Sequence, residues 1–296
     1  MSARSAINSI PAVDATPRRP STLRRLGSER SVALSALVLG VIGLFALLAD
    51  VLPIPSPTAT DLYAVRADPS VTHWFGTDEI GRDLFSRVIH GARLSLSVGI
   101  GASILALLIG CPLGLLSGFA GKWIDVAIQR IVDVVLAVPP LLLLIVLSMV
   151  LGAGVVSTIL VIGFLRAPTV VRLVRAESLA ARDLDYVLAA RSVGASNGRL
   201  MWLHIFPATW PTLLVHTSLG LATAIVLESS LSFLGLGVPP PASSWGTMLR
   251  NGYPFMQSSP WVVLAPGAVL FVAVLAFNML GDGLRDVLDP RLRNRK

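Results

Sequence analysis

From Val134 to Leu165 the chain carries no charged side chain. A single α-helix over that run would reach roughly 48 Å, well past a bilayer hydrocarbon core of about 30 Å. The run therefore has to turn back, and Gly152-Ala153-Gly154 supplies the turn. Two spans are predicted, near 128–151 and 155–174. The first carries Asp133 near its starting end and Pro139-Pro140 as a kink; the second carries Arg166. Four further apolar runs are long enough to cross a bilayer: Ser31–Ala49, Leu94–Ala120, Trp210–Leu231, which carries Glu228, and Trp261–Leu280. Only 14% of residues are charged, against about 25% in soluble chains, and the mean hydropathy is +0.75. The fold class is an all-α polytopic membrane protein with six transmembrane helices.

The net charge of +7 fits the positive-inside rule better than nucleic-acid binding, so no nucleic-acid partner is expected. With both termini cytoplasmic, the outer segments hold only Arg66, Arg82, Arg87, Arg93 and Arg250. Arg166 lies inside a span, and every other Lys and Arg falls on the inner side. The Arg-rich start resembles a signal-peptide n-region, but the apolar run after it exceeds an h-region and no small-x-small cleavage site follows. It reads as an uncleaved helix. The organisation expected is a disordered basic cytoplasmic tail over 1–30, a first transmembrane helix over 31–52, an extracytoplasmic segment over 53–92, a five-helix core over 93–281 containing a cytoplasmic loop at 176–209, and a C-terminal cytoplasmic tail over 282–296.

Within the outer segment, Ile80, Leu84, Phe85, Val88 and Ile89 recur at helical spacing, which predicts an amphipathic surface helix capped by Thr77. Gly110, Gly114 and Gly118 fall four apart, the spacing that lets a second helix approach closely. "VPPPASSWG" is uncharged and turn-rich, suited to folding back over the outer mouth.

Gly194-Ala-Ser196-Asn-Gly198 matches Gly-x-Ser-x-Gly, the pattern of a hydrolase nucleophile elbow. An elbow needs a strand before it, whereas Leu184, Val187, Leu188 and Arg191 step as a helix. Gly194 is better read as the end of one short helix, Ser196 as the N-cap of the next, and Pro207 as the close of that one. The only Gly-Lys pair, Gly121-Lys122, lacks the glycine a P-loop places five residues earlier, so nucleotide chemistry is not expected in this chain.

The helix–turn–helix "YVLAARSVGASNGRLMWLHIFP" resembles the cytoplasmic EAA loop of ABC-importer permeases. Ala189, Ala190, Gly194 and Pro207 match, and Leu188 stands where that pattern has its leading Glu. "GTDEIGRDLFSRVIHGARLSL", "ESSLSFLGLGVPPPASSWGTML" and "GDGLRDVLDPRLR" resemble segments of the dipeptide/oligopeptide/nickel permeases of the type with one extra N-terminal span. The resemblance covers about residues 31 to 295. It implies a non-catalytic, multi-pass subunit of the bacterial cytoplasmic (inner) membrane, in contact with membrane lipid. The implied partners are a second permease, two cytoplasmic ABC ATPases that bind ATP and Mg, and an extracytoplasmic substrate-binding protein. Ala189 and Ala190 would lie on an ATPase-coupling helix with Tyr186 and Arg191 alongside, Gly194 at its turn, and Ala195, Ser196 and Pro207 completing the loop. Di- or oligopeptides are the first choice of cargo, with nickel chelates and other small solutes open.

Ionisable groups inside spans are candidate pathway or gate residues. Glu228 either lines the path or pairs with a basic group on a neighbouring subunit. Arg166 either snorkels inward, satisfies carbonyls freed by Pro168, or lines the path. His216 reads as a helix-packing histidine. The rival class is an ion-coupled secondary transporter, which would show repeated halves and have no use for an EAA-type loop. An intramembrane hydrolase would need a Ser/His or paired-Asp constellation at membrane depth.

Overall fold

The computed structural model describes residues 30–288, and every regular segment among them is helical. The helices are α1 (Arg30–Leu48), α2 (Leu84–Ala120), α3 (Lys122–Ala137), α4 (Pro140–Leu151), α5 (Val155–Ala181), α6 (Asp185–Ser192), α7 (Phe206–Phe233), α8 (Trp245–Gly252) and α9 (Trp261–Leu288). Five of them are long and apolar enough to cross a membrane, and the pair α3 and α4 makes six if it counts as one span. The N-terminal tail lies outside the described residues apart from position 30, and so do positions 289–296 of the C-terminal tail. Residues 282–288, the start of the expected C-terminal tail, are helical and continue α9.

The most extensive helix pairing is α2 against α5. A Cβ on Gly110, Gly114 or Gly118 would come within 2.5 Å, 2.7 Å and 2.6 Å of Val170, Val174 and Ser178 respectively. The glycine stripe therefore does what its spacing predicts: it removes side chains so that two backbones touch. Around this axis Val98, Leu144, Val161, Ile162 and Leu231 form one buried cluster, joining α4 and α7 to the pair. A second cluster, with Trp245, Ile225, Ala273 and Phe277, ties α8 and α9 to α7. α1 packs on α9 and α2. The last carbonyls of α1 lack intrahelical partners, and Arg93 of α2 supplies them: its Nε donates to Ala46 O at 3.0 Å and its Nη2 to Leu47 O at 3.1 Å. The same guanidinium meets Asp50 at 2.8 Å, and this hydrogen bond and charge hold the Asp50 carboxyl below its ordinary range.

Two expectations about the spans are corrected. The run 75–99 holds no separate surface helix capped by Thr77. Thr77 bridges Asp83 across a tight turn, and the helix starts at Leu84 with Asp83 as its N-cap, accepting from Ser86 N at 2.7 Å. From there α2 continues unbroken to Ala120, with Leu84, Val88 and Ile89 buried. The turn is fixed by contacts no local rule contains: the Asp78 carboxylate accepts from the amides of Ile80 and Arg82 and from Arg82 Nε, and Gly81 sits at φ +81 against the Asp61 backbone. The second correction concerns Pro139-Pro140. It does not merely kink one span, because the axes of α3 and α4 differ by 94°. α4, with 12 residues, extends only about 18 Å before the turn at Gly152 and Gly154, both at positive φ.

The segment after α7 folds back as expected. Trp245, fully buried, donates from Nε1 to Val88 O at 3.0 Å, and Ser244 and Thr247 cap α8 reciprocally.

Candidate functional site: the loop after α5 and the cavity at Arg166

The loop lies at the end of the bundle where α2 finishes, opposite the 53–83 segment that precedes its start. Arg182 Nη1 donates to Gly118 O at 3.4 Å, and Arg191 stacks over Phe119 with Cζ 5.5 Å from the ring centre. Helix α6 has two faces. Val187 is completely buried in a cluster with Leu115, Val174, Leu200 and Ile205. Leu184, Tyr186 and Leu188 are each nearly half exposed, and Val193 is 85% exposed. Ala189 also faces outward, while Ala190 and Ala195 pack partly against the cluster.

The end of α6 is a Schellman motif. Gly194, at φ +87, donates to Arg191 O at 3.0 Å, and Ala195 donates to Ala190 O at 3.1 Å. Ser196 then caps the next turn, accepting from Arg199 N at 3.4 Å. Both readings from the sequence hold. Pro207 does not: it closes nothing. Residues Leu200–Ile205 form a wide π-turn, with Phe206 N donating to Met201 O, and this runs straight into α7 with Pro207 in the first turn. Proline lacks only a donor and fits a helix start; the π-turn has already shifted the hydrogen-bond ladder where that donor would fall. Tyr186 Oη ties α6 to this turn through His204 O at 3.3 Å. α6, Gly194 and the π-turn are thus clamped together and joined rigidly to α7.

Among the described residues no histidine or carboxylate reaches Ser196 Oγ, and the His204 ring contacts Arg199 O instead. Ser196 is a cap. Ser196→Ala should cost about 0.5 kcal/mol of stability, the low end for cap removal, with no loss of transport. A thermal melt of the purified variant beside an uptake assay checks both.

The two ionisable candidates stand apart from each other. Glu228 is fully buried, and its carboxylate accepts from Ser232 at 2.7 Å, Ser95 at 2.9 Å and Ser229 at 3.4 Å. It is enclosed by hydroxyls of its own chain. Arg166 neither snorkels out nor answers a carbonyl freed by Pro168. It is 8% exposed, and its Nη1 donates to Ser103 Oγ on α2 at 2.7 Å. Ser103 can accept because its own proton goes to Gly99 O at 2.8 Å. Its Nη2 lies against Gly220 of α7, where a Cβ would fall only 1.6 Å away, so a side chain at 220 would exclude the guanidinium. No carboxylate pairs with Arg166 among the described residues. An arginine inside a span costs about 2.5–3.5 kcal/mol on insertion scales, and its one described hydrogen bond, charge-assisted and worth about 1.5–3 kcal/mol, leaves the other N–H groups of the guanidinium without a described partner.

Arg166 borders a cavity of about 370 Å³ between the α3–α4 elbow, α5 and α7, together with Thr169, His216, Gly220 and Thr223. His216 Nε2 is buried without a hydrogen-bond partner. Sequence reasoning treated His216 as packing and missed Ser103 and Gly220. His216, Gly220, Thr223 and Leu227 step 4, 3 and 4 along one face of α7, and that stripe was the available signal. A second, smaller cavity of about 160 Å³ lies at the other end under the cis Pro240-Pro241 loop, bordered by Arg82, Arg87 and Arg250.

A family model described as "Binding-protein-dependent transport system inner membrane component" matches residues 110–294. The dipeptide transport system permease protein DppC of Alkalihalophilus pseudofirmus is 40% identical over 271 residues, covering 92% of this chain and 89% of that protein. The oligopeptide transport system permease protein OppC of Bacillus subtilis is 39% identical, covering 91% and 88%. Among solved structures, inward-facing conformations of the MetNI methionine ABC transporter share the fold with a TM-score of 0.56 at 18% identity, covering 68% of this chain and 96% of that one.

Proposed function

The chain belongs to the family of binding-protein-dependent transport system inner membrane components, and from that premise we propose that it is the peptide-importing permease whose α6 carries the stroke of partner ATPases. Two relatives named for dipeptide and oligopeptide transport support peptides as the cargo. On this reading the loop end faces the cytoplasm, in keeping with the distribution of Lys and Arg. The 53–83 segment and the Pro240-Pro241 loop then face the binding protein, and both termini are cytoplasmic. ATP and Mg belong to the ATPases, and a second permease completes the path.

The observation that carries the reading is the two-sided α6. Leu184, Tyr186, Leu188 and Val193 offer an apolar surface to water, and such a surface marks a partner site. Val187, the Schellman turn and Tyr186 Oη fix that surface to α5 and α7. A push on α6 therefore moves spans rather than bending a loop, and ATPase closure can favour one arrangement of the spans over another.

Mild-detergent purification of the tagged chain from its native membrane tests this. The expected result is recovery of a second permease and of P-loop ATPases, and peptide uptake driven by ATP and the binding protein. Recovery alone, with uptake independent of ATP, would instead favour an ion-coupled carrier.

A further inference from the structure

We propose that the cavity at Arg166 is a carboxylate-binding station for cargo in transit: the guanidinium of Arg166 receives the C-terminal carboxylate of the peptide about midway through the bundle. The inference rests on the peptide-permease reading and adds to it the part of the cargo that is recognised and the residue that recognises it.

The depth follows from the helices. Arg166 lies about 17 Å along α5 from its start at Val155, and Gly220 about 21 Å along α7 from Phe206, so both are near mid-helix. The volume, about 370 Å³, falls within the roughly 300–1,000 Å³ of small-molecule sites. Donors are few and defined. The hydroxyls of Thr169 and Thr223 donate to Arg166 O at 2.7 Å and Leu219 O at 3.2 Å on their own helices. That leaves the Arg166 guanidinium, with one described hydrogen bond for its five N–H groups. A guanidinium with open donors suits a planar, two-oxygen anion better than a neutral or cationic group. The rest of the lining, including Leu136, Val138, Leu143 and Leu227, is apolar and makes no sequence-specific demand on a side chain. A site of this kind would accept many peptides and require only the terminus they share. Val135, Leu136, Val138, Pro140 and Leu143 come from the α3–α4 elbow, so movement of that elbow would open or shut the station.

The test uses the complete reconstituted transporter, alanyl-alanine bearing a photoactivatable diazirine, and two competitors, alanyl-alanine and its C-terminal amide. Photolabel should fall on peptides containing residues 135–143 or 216–227. The free dipeptide should displace it, the amide should do so about tenfold less well, since a charge-assisted pair is lost, and Arg166→Gln should abolish it. Label elsewhere, equal competition by the amide, or unchanged labelling of Arg166→Gln overturns the proposal. So does an assembled complex in which a carboxylate of the second permease occupies Arg166, which would make it a subunit-pairing residue. If Arg166→Gln fails to assemble, the amide competition on the unsubstituted transporter still decides. Failure of the permease reading has a different signature: no ATPase recovered and no ATP-driven uptake by the unsubstituted complex.

Discussion

Gly114→Leu should destroy the fold of this chain, whereas Gly43→Leu should leave it intact. Both glycines sit inside apolar helices, and leucine is the better helix former by nearly 1 kcal/mol at either position. Their surroundings differ. Nothing lies within 4 Å of a Cβ at Gly43, which faces outward from α1. At Gly114 a Cβ would stand 2.7 Å from Val174 Cβ and 2.8 Å from the Val171 carbonyl oxygen. The second contact is backbone and cannot turn aside. A leucine there must push α5 away from α2 along a pairing that also includes Gly110 and Gly118. Overpacking costs typically 1–3 kcal/mol even where side chains can move, so the net loss should be on the order of 3 kcal/mol or more. Thermal unfolding of the purified transporter in detergent would show it: Gly43→Leu within a degree or two of the parent, Gly114→Leu melting far lower or not accumulating. Equal melting of the two would mean that the glycine stripe is not what holds α2 to α5.

That stripe was legible in the sequence because it is local: three small residues four apart identify a helix face whatever packs on it. The spans were legible for the same reason, since long apolar runs nearly free of charge mark them, and so was the fold-back at Gly152–Gly154. Ser196 and Gly194 were readable as cap and helix end, the roles the structure gives them. The misreadings share a different cause. Thr77 and Asp83 both satisfy the N-cap rule, and the choice was made by hydrogen bonds from Asp61 and Ala67 to the turn. Pro207 looks like a stop signal from one side and a first-turn proline from the other; the π-turn before it decided. Arg166 announced itself as an expensive charge. Its neighbours Ser103 and Gly220 are ordinary residues far away in the chain, so only the packed bundle could identify them. Glu228 is the converse case, a charge conspicuous in the sequence whose environment turned out to be its own chain's hydroxyls.

Leu188→Asp combined with Val193→Asp should release the ATPases while the chain itself stays folded. Gly194→Trp is a less discriminating probe of the same loop. No atom lies within 4 Å of a Cβ at Gly194, so tryptophan would not clash there, but at φ +87 any L side chain strains the turn, costing about 1–2 kcal/mol. Its effect would mix a distorted loop with a blocked surface. Leu188 and Val193 avoid that ambiguity. They are 44% and 85% exposed, and neither supplies the helix-end hydrogen bonds of Gly194 and Ala195. Aspartate at both should therefore change the melting temperature little. In an interface it would bury two unpaired charges, and losses of about 2–4 kcal/mol are usual for an anchor residue, which is roughly 30- to 1,000-fold in association. ATPase recovered with the tagged permease should fall by that factor, and ATP-driven uptake with it, while the second permease is still recovered. Val187→Asp gives the contrast: Val187 is fully buried beneath α6, so its substitution should unfold the loop and lower stability before any partner is considered. If the double aspartate variant still recovers its ATPases in full, the exposed face of α6 is not the docking surface. The rigid linkage from α6 through the π-turn to α7 would then need another input.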